Sequence, residues 1–400
     1  MTGLIAHEWI APHGGAEEVL SQMMAAFPEA RVSCLWNDNP GRFGATRLNQ
    51  SWMSRTPLRM CKAAALPLMP ATWRAVDTRD AEWVLTSSHA FAHHAGGRAL
   101  REAGRHFSYV HTPARYLWEP GLDRRGAGVL AAAVRGPLQR IDRARAREGS
   151  MYAANSEYVR QRLHRFWGVD AAVIPPPVRV KLITSRVDWR DELVGQERGV
   201  AQRLPEGFVL GASRFVSYKR LDLVIRAAEI VGLPAVIAGA GPEEAHLRAI
   251  AASATVPVVF VISPSDELLF SLYQRAAVYV FPAVEDFGIM PVEAMSVGTP
   301  AVVNIAGGAR ESVEALDSGE LADFDSPLSI ERAVTAALRR DRHLVGRGAE
   351  HYSEASFRRT LRSWMGVDSV GAGADRSLGD RGVGSPDRDE PALRRHAAVA

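Results

Sequence analysis

Two successive series of short apolar runs alternating with helical stretches decide what this chain can fold into. Such alternation belongs to parallel sheets covered by helices, because a parallel strand needs a long crossover to return to its sheet. The first series has strand-like runs at 4–9, 83–86, 106–111 and 153–155. A helical pattern follows the Gly14-Gly15 turn from about Ala16 to Phe27, and Ser156 opens a helix that reaches Trp167. Ala172-Val-Ile-Pro-Pro-Pro-Val178 is a rigid extended exit.

The second series starts with Gly207-Phe-Val-Leu-Gly-Ala-Ser213 and continues with strands at 235–238, 258–262, 277–281 and 301–304. Helical stretches at 220–231, 243–252 and 266–275 lie between them. The intervening 181–204 is charged and lacks clear periodicity, which places a domain boundary there. The expected organisation is a first domain at 1–180, a linker at 181–204 and a second domain at 205–355. A terminal helix at 356–366 follows, then a disordered tail at 367–400 poor in large apolar side chains.

Four hundred residues, 47% of them hydrophobic, suffice for two such cores. The net charge of +3 creates no global field that demands nucleic acid, and no recognised nucleic-acid module is present. Cys34 and Cys61 have neither metal-ligand spacing nor a disulfide partner pattern, which points to a reducing compartment. The first residues lack a basic leader, and no window approaches 18 uninterrupted apolar residues. A cytoplasmic protein is expected.

The most informative segment is Phe281-Pro-Ala-Val-Glu-Asp-Phe-Gly-Ile-Met-Pro-Val-Glu-Ala-Met-Ser-Val-Gly-Thr-Pro300. An apolar strand enters a loop and then a short helix, with Pro291 in its first turn and Gly298 at its stop. Amides near Gly288, Ile289 and Met290, beside Phe287, then point from a helix start at a strand end and can hold an anion. Glu285 and Glu293 flank that cradle. Carboxylates on either side of an anion site suit a ligand with hydroxyls at both ends and phosphates between, as in a nucleotide-sugar.

Other loops supply matching chemistry. Arg214 and Lys219 join a strand to a helix, and a fork donor with a point cation suits a diphosphate. Gly239-Ala-Gly241-Pro lacks the third glycine of a dinucleotide fingerprint and reads as a turn at the edge of a nucleotide site. Gly14 and Gly15 permit close backbone approach to a phosphate or an acceptor. His111 ends a strand before Thr112-Pro113, and Tyr116 and Trp118 beyond it are expected to pack. Asp323-Phe-Asp325 follows the core helices and reads as a surface turn, so no metal is expected. Arg135, Arg140, Arg143, Arg145 and Arg147 share a polar helix face that either meets solvent or rests on anionic lipid.

The Glu285…Glu293 segment, with Ala-x-x-x-Gly-x-Pro after it, resembles the signature of retaining glycosyltransferases of family 4. Arg214-x4-Lys219, Gly239-x-Gly-Pro, Gly14-Gly15 and Gly307-Gly-x-x-Glu311 resemble the family's supporting motifs. His111-Thr-Pro-x-Arg-Tyr-x-Trp resembles bacterial mannosyltransferases of surface polysaccharide synthesis. The resemblance spans about 1–365 and implies the GT-B fold, two Rossmann-like doubly wound α/β domains facing a cleft, with the last helix crossing back. It implies donor diphosphate binding by Arg214, Lys219 and the 288–290 amides, ribose binding by Glu293, and contacts from Glu285 and His111 to the transferred hexose. GDP-mannose is the implied donor, and a carbohydrate, lipid-linked or small-molecule hydroxyl is the acceptor. A UDP-sugar donor, an epimerase of the same fold and a non-catalytic nucleotide-sugar binder are the alternatives. Val261-Ile-Ser263 departs from the family's glycine-containing turn, and Asn304 has no evident role from sequence.

Overall fold

The computed structural model describes residues 2–12, 14–43, 48–119 and 129–367, with only the helical backbone for 129–134. Its first sheet contains β1 (Gly3–His7), β2 (Arg31–Cys34), β3 (Leu48–Gln50), β4 (Trp83–Ser88), β5 (His106–Val110), β6 (Met151–Ala154) and β7 (Ala172–Val173). The spatial order is β3-β2-β1-β4-β5-β6-β7 and every pairing is parallel. The second contains β8 (Val209–Ala212), β9 (Ala235–Gly239), β10 (Val258–Ile262), β11 (Val278–Phe281), β12 (Ala301–Asn304) and β13 (Gly319–Ala322). Its order is β10-β9-β8-β11-β12-β13, again parallel throughout.

Both faces of the second sheet are covered, which is why its strands read as continuous apolar runs rather than alternating ones. Tyr279 and Phe281 join one core while Val278 and Val280 join the other. β2, β3 and β13 have no counterpart among the strands expected from sequence. They are three or four residues long, and β3 (Leu-Asn-Gln) and β13 (Gly-Glu-Leu-Ala) carry polar side chains at sheet edges.

The segment 181–204, expected as a linker, is itself folded. It holds turns of helix at Val180–Ile183, Trp189–Glu192 and Gly195–Arg203. Ile183, Trp189, Leu193, Ala201 and Leu204 are buried in the core of the second domain. Their irregular spacing reflects three short turns anchored one residue at a time, which no single period describes. The last helix, Glu354–Trp364, returns to the first domain as the resemblance implied. Phe357, Leu361 and Met365 complete a core with Val19 and Met23, and Arg362 donates to the Ala26 carbonyl at 2.8 Å. The tail expected to be disordered lies, beyond Val367, outside the described residues.

Each sheet reverses its strand order once at its centre, between β1 and β4 and between β8 and β11. Open parallel sheets bind ligands at such points, outside the carboxyl ends of the strands. The loops after β1, β4, β5, β8 and β11 are therefore where chemistry is to be sought.

Candidate active site in the interdomain cleft

A cavity of about 700 Å³ opens between the domains. Trp9, Ala16, His89, Thr112, Arg115 and Tyr116 of the first domain meet Arg214, Glu285 and Asp286 of the second across it. Met60, Cys61, Lys62, Ala63 and Leu66 form its lip.

On the second-domain side, adjacent strands β8 and β11 bring Lys219 and Glu285 together, with Nζ 2.7 Å from Oε1. Lys219 also sits 5.3 Å from the centre of the Phe281 ring, a cation over an aromatic face. Arg214 is exposed at the cavity wall and donates to the Tyr218 hydroxyl at 2.9 Å. Gly288 adopts a left-handed conformation (φ 86°) and starts the helix Ile289–Ser296, so the Ile289 and Met290 amides lie in its first turn. Phe287 is buried against Tyr352 and holds the loop from inside the second core. A Cβ on Gly15 would come 3.1 Å from Ile289, so the starts of the helices Gly15–Ala26 and Ile289–Ser296 confront each other across the cleft. Two helix N-termini facing one space make it favourable for negative charge. Gly14 is packed against the Glu17 carboxylate, which accepts from the Ala11 amide at 2.9 Å.

Glu293 lies on the same short helix, 6% exposed, with the Tyr273 hydroxyl donating to it at 3.0 Å. Burial pushes its pKa up, partly offset by the field of Arg179 and by the Tyr273 bond. Gly239 and Gly241 hold the turn expected of them. A Cβ at either would strike the Ser213 or Phe215 carbonyl, at 1.9 and 2.4 Å, so this turn packs onto the Arg214 loop. Ser263 adopts the left-handed conformation (φ 48°), so the departure from glycine leaves the turn's backbone geometry in place. Asn304 ties two loops together, donating to the Pro282 carbonyl and accepting from the Ala306 amide.

On the first-domain side, His111 belongs to a buried polar chain. Ser87 Oγ stands 2.9 Å from His7 Nδ1 and 2.8 Å from His111 Nε2, across the neighbouring ends of β1, β4 and β5. Burial pushes His111 down to about 4. Burial, reinforced by His111, pushes His7 down to about 3. Both rings are neutral near pH 7. His89 packs edge-on to Trp9, with centroids 4.5 Å apart.

Arg115, Arg162 and Asp286 received no role from sequence, and they join the domains. Asp286 accepts from Arg115 at 2.6 Å and pairs with Arg162, which also pairs with Glu119. Arg115 approaches Glu285 at 3.7 Å. Glu311, known from sequence only by its motif, accepts from the Glu157 and Tyr158 amides at 2.7 and 2.8 Å. A second-domain carboxylate thus caps the first-domain helix Glu157–Trp167 alongside its own Ser156. The local signal was only an acid within the signature segment, one arginine soon after a strand end and one in mid-helix.

Tyr116 lines the cavity, whereas Trp118 packs: it stacks on Phe166 and donates to Asp142 at 2.7 Å. Of the arginines at 135–147, Arg140, Arg143 and Arg147 are exposed, as a solvated face would have them, and several are also tied to the protein. Arg143 and Arg147 donate to the Phe166 and Trp167 carbonyls at the end of a neighbouring helix, and Arg145 pairs with Glu148. Asp323 accepts from the Asp325 amide, closing the expected turn.

Among the described residues, one cluster, His93, His94 and Asp142, has metal-ligand spacing. Asp142 already accepts from the indoles of Trp118 and Trp167, and its Oδ1 lies 3.0 Å from His94 Nε2 and 3.1 Å from His93 Nε2. Burial opposes its ionisation, yet the two histidines hold its pKa well below the usual carboxylate range. Both oxygens of this carboxylate are engaged by side chains of the core, so the cluster is a polar knot of that core, and none of its three members lines the cleft cavity.

Residues 13–182 match the family described as Glycosyltransferase Family 4, and residues 197–354 match Glycosyl transferases group 1. The chain carries the two domains of a GT-B glycosyltransferase. An uncharacterized glycosyltransferase of Methanocaldococcus jannaschii is 30% identical over 154 residues, which are 35% of this chain and 40% of that protein. The D-inositol 3-phosphate glycosyltransferase of Geodermatophilus obscurus is 28% identical over 247 residues, 56% of this chain and 53% of that one. The matches therefore span about half or less of these relatives' length. Among solved structures, Anabaena HepE in complex with UDP superposes with TM-score 0.67 at 17% identity, covering 91% of this chain and 100% of that one. Sucrose-phosphate synthase from Thermosynechococcus elongatus gives 0.65 at 17% identity, covering 92% and 100%. At such identities the likeness establishes the fold. Among the described residues, no helix is long and apolar enough to cross a membrane.

Proposed function

We propose that this chain transfers a hexose from a nucleotide-diphosphate sugar to an acceptor hydroxyl, with retention of anomeric configuration. The carrying observation is the convergence of Lys219, Arg214 and Glu285 with the start of the 289–296 helix at one strand-order reversal, facing a cavity.

In this reading Arg214, Lys219 and the Gly288–Met290 amides hold the diphosphate, and Glu293 accepts hydrogen bonds from the ribose hydroxyls. Glu285 exchanges Lys219 for hydroxyls of the bound hexose, releasing the ammonium to the phosphates. Negative charge grows on the departing diphosphate, and donors already in place lower the barrier most at that moment. Retention follows a front-face route in which the departing phosphate takes the acceptor's proton, so no separate protein base is required. His111, held neutral and oriented through Ser87, positions the hexose without adding charge at the anomeric centre. The cations and helix terminus compensate the diphosphate without an ion, so turnover should persist in a chelator.

Mannose from GDP-mannose is the first donor proposed, on the likeness of the Arg214–Lys219, Glu285–Ile289 and Gly307–Glu311 segments to mannosyltransferases. A UDP-sugar is the second, favoured by the UDP complex of a protein with this fold. Thermal shift across GDP-, UDP-, ADP- and dTDP-sugars, on wild type and Glu293→Ala, tests both. The true donor raises the melting temperature by mass action, and the variant loses the shift. No shift with any nucleotide-sugar would sink the reading.

A further inference from the structure

Arg115 is shared between two consecutive carboxylates of the opposite domain. Its Nη2 donates to Asp286 Oδ2 at 2.6 Å, while Asp286 Oδ1 pairs with Arg162. The same Nη2 stands 3.7 Å from Glu285 Oε2, and Lys219 Nζ stands 2.7 Å from Oε1. Lys219, Arg115 and Arg162 thus alternate with Glu285, Asp286 and Glu119 in one line that runs from the second domain into the first. Little of this line meets water: the side chains of Arg115, Glu285 and Asp286 are 19%, 20% and 12% exposed. Burial opposes the charge on Arg115, yet Asp286 and Glu285 together hold its pKa above the ordinary value.

Arg115 opens the short turn Arg115–Trp118, and Ala114 and Leu117 beside it are buried in a first-domain core. Its backbone is therefore anchored in one domain while its head serves the other. Asp286 keeps Arg162 when Arg115 turns away, so Arg115 is the cation free to move. Closing its distance to Glu285 from 3.7 Å to the roughly 2.8 Å of a charge-assisted bond takes about 1 Å.

A bound donor creates the need for that movement. In the transfer reading above, the diphosphate takes Lys219 and the hexose hydroxyls take Glu285. A carboxylate left in a partly closed site without a cation is destabilised, so Glu285 would hold Lys219 back from the phosphates. A second cation beside its other oxygen removes the conflict.

We infer that Arg115 is a positioning residue for transfer: it takes over the charge of Glu285 as Lys219 moves to the diphosphate. Both groups then stand in place when the glycosidic bond breaks. Arg115 itself touches neither donor nor acceptor. The inference rests on the transfer reading.

Steady-state kinetics and small-angle scattering on Arg115→Gln, Arg115→Lys and Asp286→Asn test it. Arg115→Gln should lower kcat roughly 10–100-fold and leave KM within about threefold, because the charge on the leaving diphosphate is largest in the transition state. Its radius of gyration and donor thermal shift should match wild type. Arg115→Lys should recover part of the loss, since a point charge also neutralises Glu285. Asp286→Asn should cost less kcat than Arg115→Gln, because it leaves Arg115 wholly to Glu285. Glu285→Gln removes the need, so adding Arg115→Gln to it should cost less than about threefold more. A residue that only clasps the domains behaves otherwise. Arg115→Gln would then cost no more than Asp286→Asn, would widen the radius of gyration, and would keep its full loss beside Glu285→Gln. Any of these results in an active enzyme overturns the inference, and the single variants decide alone where Glu285→Gln turns over too slowly to measure. Wild type with neither turnover nor a donor shift sinks the transfer reading, and this inference with it.

Discussion

Lys219 Nζ lies 2.7 Å from Glu285 Oε1, so a cation suited to the diphosphate and a carboxylate suited to the hexose neutralise each other before any donor arrives. Each side chain is partly open to solvent, at 12% and 20%, and the pair contributes little to stability by itself. Its meaning is preorganisation: a donor replaces the pair by two better-matched contacts. Lys219→Ala should reduce transfer roughly 10²–10³-fold, the usual loss for one preorganised donor. Its melting temperature should stay close to wild type, because Arg115 remains 3.7 Å from Glu285. Steady-state kinetics beside a melting curve separates the two effects, and a collapse in stability would show the pair to be structural.

Tyr273 addresses the nucleoside end. Its hydroxyl donates to Glu293 and leaves the other carboxylate oxygen for ligand hydroxyls. Tyr273→Phe should cost about 1 kcal/mol of stability. It should raise the donor KM while changing kcat little, since ribose contacts are alike in ground and transition states. A fall in kcat at constant KM would contradict the assignment.

Much of this was legible in the sequence because strand-order reversal and loop chemistry are local signals. The Glu285–Glu293 segment, Arg214 and Lys219 lie on two neighbouring loops, and short apolar runs announced both strands. The clasp between domains was not legible. Asp286 and Arg162 are 124 positions apart and Glu311 and Glu157 are 154 apart, and nothing in their own neighbourhoods announces a partner. The 181–204 segment misled for a related reason: its burial is decided by the second core rather than by its own periodicity. The polar face at 135–147 was legible, but not that its exposed Arg143 and Arg147 also donate to the carbonyls that end a neighbouring helix.

Acid sensitivity follows from the buried histidines. His7 is pushed down to about 3, and His94 and His111 to about 4, against an ordinary value of 6.5. Between those values and 6.5 the unfolded chain binds more protons, so stability rises with pH. The contribution is complete above about 6.5 and is lost as pH falls toward 4, by up to ~1.4 kcal/mol per pH unit for each ring. Urea midpoints from pH 7 to pH 4.5 should fall steadily, and His111→Gln should flatten the slope. Ser87→Ala removes the one hydroxyl that donates to one ring and accepts from the other. It should lower kcat and shift the pH profile of transfer, which a loss of packing alone would not do.

The final prediction concerns the clasp. Asp286 meets Arg115 and Arg162, and Glu311 caps the helix that bears Arg162. Both carboxylates come from the second domain and both sets of donors from the first, so they fix the mouth of the cleft. Asp286→Asn leaves Arg162, 5% exposed, with Glu119 as its remaining carboxylate. The expected cost is roughly 2–3 kcal/mol, below that of a wholly unpaired buried charge. Glu311→Ala removes a cap, worth about 1 kcal/mol. Together they should widen the angle between domains, seen as a larger radius of gyration in small-angle scattering. A donor that bridges the cleft should partly restore the compact form. Transfer should weaken although every group proposed to touch the donor is intact, because the domains meet less often in the reactive arrangement. An unchanged radius in both variants would mean that the cores, rather than these carboxylates, set the closure.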